Sequence, residues 1–144
     1  NIYKLMRLQN NLGRRVHTSI IYPNLLADAL KSADVVVGAI HSPTGRAPII
    51  VTEDMVAAMK AGSIIMDVSI DQGGIFETSE VTSHADPTFK KYDVIHYCVP
   101  NIASRVARTA SYAISNILTD NLMKASQMGG YDKLLRYDVN TRHG

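Results

Sequence analysis

One almost unbroken apolar run decides the fold class: Asp34-Val35-Val36-Val37-Gly38-Ala39-Ile40. Runs of this kind are typical of parallel strands that are covered on both faces of a sheet. Two further apolar segments, residues 63–68 and 93–99, have the same character. Segments with helical spacing alternate with these strands, and that alternation predicts βαβ units and a parallel sheet. We therefore expect an α/β fold.

The flanking segments carry start signals for helices. Residues 1–12 place apolar side chains three and four positions apart, which indicates a short amphipathic helix. Pro23 is expected to open a second helix, and Thr52 is expected to be the N-cap of a third. The longest helix should begin near residue 104 and present one continuous apolar face. Residues 16–21 alternate and are β-branched, so a strand is also predicted there.

Composition excludes several classes of protein. The 144 residues are 46% hydrophobic and 19% charged, the balance of a soluble globular domain. A net charge of +2 without a basic cluster does not favour nucleic acid as a partner. The single cysteine, Cys98, excludes a disulfide framework, and the five histidines lack metal-ligand spacing, so no metal is expected. Without an apolar run of about 18 residues or a signal peptide, we expect a cytoplasmic protein with no membrane partner.

Ligands of open α/β sheets bind outside the carboxyl ends of the parallel strands. In this sequence the loops at those ends are residues 41–48, 69–75 and 99–104. The second loop contains Gly73 and Gly74, which permit backbone conformations or close approaches that a Cβ atom would block. The three loops are therefore the predicted ligand site.

Three segments in and beside these loops are distinctive: Gly38–Pro48, Met66–Glu77 and His96–Ile102. Together they resemble the nucleotide-binding domain of alanine dehydrogenase, in collinear order from about Asn1 to Ser126. The most specific part is Asp71-Gln72-Gly73-Gly74, directly after a buried strand. This motif and the turn at Asn101 favour the dehydrogenase over the NAD-binding subunit of proton-translocating transhydrogenase, which shares the fold.

The resemblance implies a Rossmann-like, doubly wound parallel sheet that is incomplete. The first βαβ unit with its glycine-rich turn is absent, since no G-x-G-x-x-G occurs anywhere. Residues 1–128 would be a partial NAD-binding domain and residues 129–144 a C-terminal tail. The substrate domain of the family, with its catalytic His, is also absent. We expect a C-terminal fragment of a longer polypeptide that is inactive alone.

The activity implied for the parent protein is reversible, NAD-dependent oxidative deamination of L-alanine to pyruvate and ammonia. The family works as a homo-oligomer, usually a hexamer, and the same is expected here. The alternative is a non-catalytic NAD(H)-binding module of the transhydrogenase type. In the usual strand order, the strand at 16–21 would be separated from the strand at Val35 by a gap of two. Unpaired edges and apolar surface would then be exposed, so the chain should associate or rearrange.

By resemblance, Asp71 is the catalytic carboxylate beside the substrate; alternatively it is a turn or N-cap aspartate. Asn101 would donate to the nicotinamide carboxamide, or it would cap the helix that follows. Lys4 matches a position near the adenosine ribose, although surface lysines are common. The other expected cofactor contacts, mainly through backbone groups, are Ile40, His41, Ile50, Ile70, Val99 and Ile102. We expect His96 and Cys98 to be packed inside the fold rather than catalytic.

Overall fold

The computed structural model describes residues 2–12, 17–43 and 45–130, without the side chains of Ile2, Lys4 and Gln9. The chain divides into two compact units, Asn1–Pro100 and Asn101–Gly144. Most of the predicted C-terminal tail, from residue 131 onward, lies outside the described residues.

The described residues of the first unit form three α-helices, four strands and a 3₁₀ helix. The α-helices are α1 (Ile2–Leu12), α2 (Pro23–Ser32) and α3 (Glu53–Ala57). The strands are β1 (Val35–Gly38), β2 (Ile64–Asp67), β3 (Thr88–Lys91) and β4 (Val94–Tyr97). The 3₁₀ helix, Ile70–Gln72, follows β2 directly. Helices were predicted at each of the three α-helical positions, and Pro23 stands in the first turn of α2 as expected.

The four strands form one open sheet in the order β1-β2-β4-β3. The pairs β1/β2 and β2/β4 are parallel, with Gly38 opposite Asp67 and Met66 opposite Tyr97. The carboxyl ends of these three strands therefore lie along one edge of the sheet. The α/β fold with a parallel core, predicted from the apolar runs, is confirmed.

Strand β3 was not predicted, and it makes the sheet mixed rather than purely parallel. It pairs antiparallel with β4 through a hairpin whose two loop residues, Tyr92 and Asp93, have φ values of 55° and 58°. Positive φ at both loop positions is the feature of the tight hairpin turn that matches strand twist. The turn lacks glycine, which is why it gave no hairpin signal in the sequence.

The strand predicted over residues 16–21 is wrong for the residues that the structure describes. Val16 lies outside them, and residues 17–22 form no strand. Ile20 and Ile21 are more than half exposed. A strand requires a neighbour that takes up its backbone hydrogen bonds, and this segment has no such pairing in the described residues.

Strand β1 pairs with β2 on one side only, so its other edge is open within the described part of the sheet. The side chains of Val35 and Val37 are 54% and 59% exposed. An unpaired edge with apolar residues is the arrangement expected above when neighbouring strands are missing.

The core joins α2 and α3 to the sheet. Leu30 of α2, Val56 of α3, Ile65 of β2 and Val94 of β4 belong to one buried cluster. Burying a side chain of this size stabilises the fold by roughly 1.5–3 kcal/mol. Gly38 at the end of β1 has no space for a Cβ atom, which would lie 2.6 Å from the Phe76 ring. The end of β1 thus lies close to Ile75 and Phe76, which follow the Asp71 loop.

The start of α3 is fixed by two side chains. Thr52 Oγ1 accepts a hydrogen bond from the Met55 amide at 3.4 Å, which confirms Thr52 as the N-cap. Glu77 Oε2 accepts from the Glu53 amide at 2.8 Å. This second contact ties the helix to the segment that follows the Asp71 loop.

The second unit contains a 3₁₀ helix, Ile102–Val106, and α4 (Ala107–Gln127). The predicted long helix is therefore present, and Gly129 follows it with φ of 80°. Its predicted apolar face is not buried: Ile117 is 65% exposed and Leu118 52%. Only Ala125 of α4 is buried among the described residues.

Candidate functional site

A cavity of about 330 Å³ lies at the carboxyl ends of β1 and β2. This is the place where open α/β sheets bind their ligands. Its volume is at the lower end of the range for small-molecule sites. The residues that line it come from the segments directly after the two strands: Ala39, Ile40, His41, Val68, Ser69, Asp71 and Gln72.

The cavity brings together three of the residues predicted for the site, Ile40, His41 and Asp71. Asp71 is exposed to solvent and lies in the short 3₁₀ helix Ile70–Gln72. Asp71 therefore adds a carboxylate, which accepts hydrogen bonds, to a cavity lining that also contains Ala39, Ile40 and Val68.

A buried carboxylate shapes the loop that carries Asp71. Asp67, 2% exposed, ends β2. Its Oδ1 accepts from the Ser69 amide at 3.0 Å, and its Oδ2 accepts from the Ile75 amide at 2.9 Å and the Ser79 hydroxyl at 2.7 Å. Because these donors lie on both sides of Asp71, one side chain holds both ends of the loop.

Each of the two glycines in the loop is required for a different structural reason. Gly73 ends the 3₁₀ helix with φ of 92° and donates its amide to the Ile70 carbonyl. Gly74 has φ of 78°, and a Cβ atom there would lie 2.5 Å from Asp67 Oδ2. The sequence-based expectation that these glycines allow unusual backbone conformations and close approach is confirmed.

Ser69 joins the two walls of the cavity. Its hydroxyl accepts from the Ile40 amide at 2.7 Å and donates to the Ile40 carbonyl at 2.9 Å. A single buried hydroxyl therefore satisfies both main-chain groups of a residue 29 positions away.

Gln72 makes an equivalent contact two residues further along the opposite wall. Its Oε1 accepts from the Ser42 amide at 2.9 Å, and its Nε2 donates to the Ser42 carbonyl at 2.9 Å. The Gln72 carbonyl also accepts from the Ala47 amide at 2.8 Å. Together with Ser69, this residue fixes the loop after β1 against the loop after β2.

Two of the backbone amides predicted to contact a ligand already donate hydrogen bonds within the fold. The amide of Ile40 donates to Ser69, and the amide of Ile50 donates to the Ile75 carbonyl at 2.9 Å. Since each amide carries one hydrogen, a ligand contact at these two residues would use the carbonyl oxygen or the side chain.

His96 and Cys98 of the neighbouring β4 region are inside the fold, as predicted. The His96 ring is fully buried, lies 2.8 Å from Thr78 Oγ1 through Nε2 and 3.0 Å from the Val94 carbonyl through Nδ1, and stacks on Phe89. Burial lowers the pKa of His96 below its ordinary value. Burial likewise raises the pKa of the Cys98 thiol, so a reactive thiolate is disfavoured.

The remaining predicted residues lie elsewhere. Ile70 and Val99 are buried, and Ile50 packs against the core. Asn101 and Ile102 belong to the second unit, where Asn101 has φ of 52°. Its side chain makes no capping hydrogen bond, and its carbonyl accepts from the Ser104 amide, so the side-chain cap considered above is absent. The side chain of Lys4 lies outside the described residues.

Sequence reasoning missed Asp67, Ser69 and Gln72 as organisers of the site. The available signal was their position, because each is a polar residue at or just beyond the end of a buried strand. Their partners are 29 or 30 residues away for Ser69 and Gln72, so the contacts had no local sequence pattern.

Two kinds of feature are absent from the described residues. They contain no group of three His, Cys, Asp or Glu side chains arranged to hold a metal ion. None of their helices combines the length and apolarity needed to cross a membrane.

The sequence profile described as "Alanine dehydrogenase/PNT, C-terminal domain" matches residues 1–144. The chain belongs to this family. It is 39% identical to alanine dehydrogenase of Bacillus subtilis (strain 168) over 150 aligned residues, which cover 100% of this chain and 40% of that protein. It is 41% identical to the Mycolicibacterium smegmatis enzyme, with 90% of this chain and 35% of that protein covered.

Solved structures of the family agree with the fold. An L-alanine dehydrogenase superposes with a TM-score of 0.81 at 37% identity, covering 90% of this chain and 36% of that one. A transhydrogenase from Sinorhizobium meliloti gives 0.57 at 29% identity, covering 64% of this chain and 26% of that one. The similarity is thus greater to the dehydrogenase. The chain spans two fifths or less of the length of these relatives.

Proposed function

We propose that this chain is part of the NAD-binding domain of an alanine dehydrogenase, with the cavity after β1 and β2 holding the nicotinamide end of the cofactor. The observation that carries the proposal is the position of Asp71, which lines a cavity at the carboxyl ends of two parallel strands. The parent reaction is oxidative deamination of L-alanine to pyruvate and ammonia. In this proposal the cofactor domain covers residues 1–128.

The residues of the cavity fit one half of a dinucleotide. Ala39, Ile40 and Val68 provide apolar lining for a flat ring, and Asp71 and His41 provide polar groups in the same lining. A volume of about 330 Å³ suits a single ring with its sugar rather than a whole dinucleotide. NAD, when bound, supplies the acceptor for the hydride.

In the proposed mechanism, Asp71 acts on the substrate side of that ring. Its carboxylate accepts a hydrogen bond from the amine of alanine, or from the water that later replaces it. The apolar wall excludes other water from the reacting carbon. Asn101 is proposed to donate its side-chain amide to the carboxamide of the ring, as the resemblance to the family implies.

The proposal includes a homo-oligomeric parent. This part of the proposal rests on the resemblance to the family. Lys4, Ile50, Ile70, Val99 and Ile102 stay in the proposal as cofactor contacts, as the resemblance to the family implies.

A fluorescence titration of the purified chain with NADH tests the proposal. We expect saturable binding that Ala39→Phe abolishes, because the larger side chain occupies the cavity. The matched control is Ala58→Phe, which adds the same ring at an exposed position outside the cavity lining and should leave binding unchanged. Asn101→Gly should weaken binding about tenfold, the effect of losing one good hydrogen bond.

Glycine is chosen at Asn101 because it keeps the left-handed backbone while it removes the side chain. Binding that is absent at millimolar NADH would overturn the proposal that these loops form the site. If Ala39→Phe binds NADH with the affinity of the wild type, the cofactor binds outside this cavity.

A further inference from the structure

Two side chains connect the walls of the cavity in the same unusual way. Ser69 binds both the amide and the carbonyl of Ile40, and Gln72 binds both the amide and the carbonyl of Ser42. All four distances are between 2.7 and 2.9 Å. Two-point bonding to alternate residues reproduces what a neighbouring strand would do, at a place where β1 and β2 have already ended.

We propose that Ser69 and Gln72 are positioning residues, which hold the segment Ile40–Ser42 in register with Asp71 so that the cavity is formed before a ligand enters. The inference rests on the proposed function for the role of Asp71. The contacts that carry it belong to the first unit and do not depend on the cofactor.

The chemistry of the Gln72 carboxamide explains why this residue type is needed. It offers one acceptor and one donor on the same planar group, and the Ser42 main chain offers the complementary donor and acceptor. Gln72 is adjacent to Asp71, so any movement of its backbone moves the carboxylate as well. Ser69 is buried and its carbonyl accepts from the Gln72 amide at 2.9 Å, which links the two contacts.

Replacing Gln72 by glutamate provides a selective test. When the introduced carboxyl is protonated, it keeps one donor and one acceptor and can reproduce both bonds to Ser42. When it is ionised, it has acceptors only and repels the Ser42 carbonyl. The contact should therefore form at low pH and break as the pH rises. The Asp71 carboxylate nearby disfavours a second negative charge and moves this transition upward from the ordinary glutamate pKa of about 4.3.

Two other ionisable side chains lie near the loop, and their effect on the signals is removed by comparing each variant with the wild type at the same pH. His41 lines the cavity, and the Arg46 side chain runs beside Gly73, with Nε 3.4 Å from the position of a Gly73 Cβ. Both are present in every variant. The matched control is Gln127→Glu, the same substitution at an exposed position on α4.

The experiment is nuclear magnetic resonance of the full chain, recording the backbone amide signals of Ile40, Ser42 and Ala47 between about pH 4 and pH 7.5, a range that brackets the glutamate pKa. In Gln72→Glu these signals should match the wild type at low pH and depart from it with one titration as the pH rises. Ser69→Ala should shift the Ile40 signal at every pH without rescue. Gln127→Glu should follow the wild type throughout.

Cofactor affinity is then measured with NAD⁺ in the same samples. We expect Gln72→Glu to bind about tenfold more weakly than wild type at the upper pH and within about twofold at the lower, the former corresponding to about 1.4 kcal/mol. Equal amide signals in Gln72→Glu and wild type at all pH values would overturn the inference. So would a variant that shows the titration but binds NAD⁺ like wild type at both pH values. A wild-type chain that does not bind NAD⁺ refutes the proposed function, whereas the amide titration decides separately whether the two side chains hold the walls together.

Discussion

Replacing Gly74 by alanine probes the loop that carries Asp71 most directly. Gly74 has φ of 78°, in the left-handed region. An added Cβ atom would lie 2.5 Å from Asp67 Oδ2 and 3.0 Å from Ser79 Cβ. The substitution therefore combines backbone strain with a clash against the buried carboxylate that holds both ends of the loop.

The expected cost follows from these two parts. A left-handed conformation costs a residue with a Cβ atom about 1–2 kcal/mol. To relieve the clash, Asp67 must move away from at least one donor, either the Ile75 amide at 2.9 Å or the Ser79 hydroxyl at 2.7 Å. A hydrogen bond to a charged group is worth about 1.5–3 kcal/mol. Gly74→Ala should thus lower the free energy of unfolding by about 2.5–5 kcal/mol.

Gly62→Ala is the matched control. Gly62 has φ of 81°, and a Cβ atom there would meet no heavy atom within 4 Å, so only the backbone strain of about 1–2 kcal/mol applies. The assay is urea unfolding followed by circular dichroism, with equal slopes required before midpoints are compared. Equal losses for the two variants would refute the reasoning, because the contact with Asp67 would then contribute nothing.

Three further predictions concern the rest of the chain. Burial lowers the pKa of His96 below its ordinary value near 6.5, so as the pH falls the unfolded chain binds this proton before the folded chain does. The free energy of unfolding should therefore decrease as the pH drops from about 6.5 toward the pKa of His96 in the folded chain. His96→Gln should reduce this pH dependence, measured by urea unfolding at several pH values. The hydrogen bond from the Tyr92 hydroxyl to Glu53 raises the pKa of Tyr92, and Glu53→Ala should bring it back toward about 10 in a tyrosine ring NMR titration; an unchanged value would contradict that cause. The open edge of β1 should make the chain associate, and Val37→Lys should reduce association in sedimentation velocity, whereas a wild-type monomer would contradict this expectation.

The parallel part of the sheet could be predicted because burial on both faces leaves a continuous apolar run in the sequence, as in Val35–Gly38 and Ile64–Asp67. Strand β3 could not, since Thr88–Lys91 has one large apolar residue among polar ones and pairs at the edge of the sheet. The segment 16–21 shows the opposite error: its composition suits a strand, but strand formation depends on a pairing partner that composition does not report.

The candidate site shows the same division. Asp71 could be placed at the end of a strand because local burial and the glycines after it are visible in the sequence. The contacts of Ser69 and Gln72 could not be predicted, since each joins residues about 30 positions apart and depends on the register of β1 and β2. The packing of α4 could not be predicted from its sequence either, because an apolar helix face does not identify the surface that it packs against.

The central claim is that the cavity after β1 and β2 binds the nicotinamide end of NAD. The most direct measurement is NADH titration into the isotope-labelled chain, followed by the backbone amide signals. The account predicts saturable shifts that are largest for Ala39–His41 and Val68–Gln72, the segments that line the cavity. Saturable shifts confined to other segments, or no shifts at millimolar NADH, would contradict it.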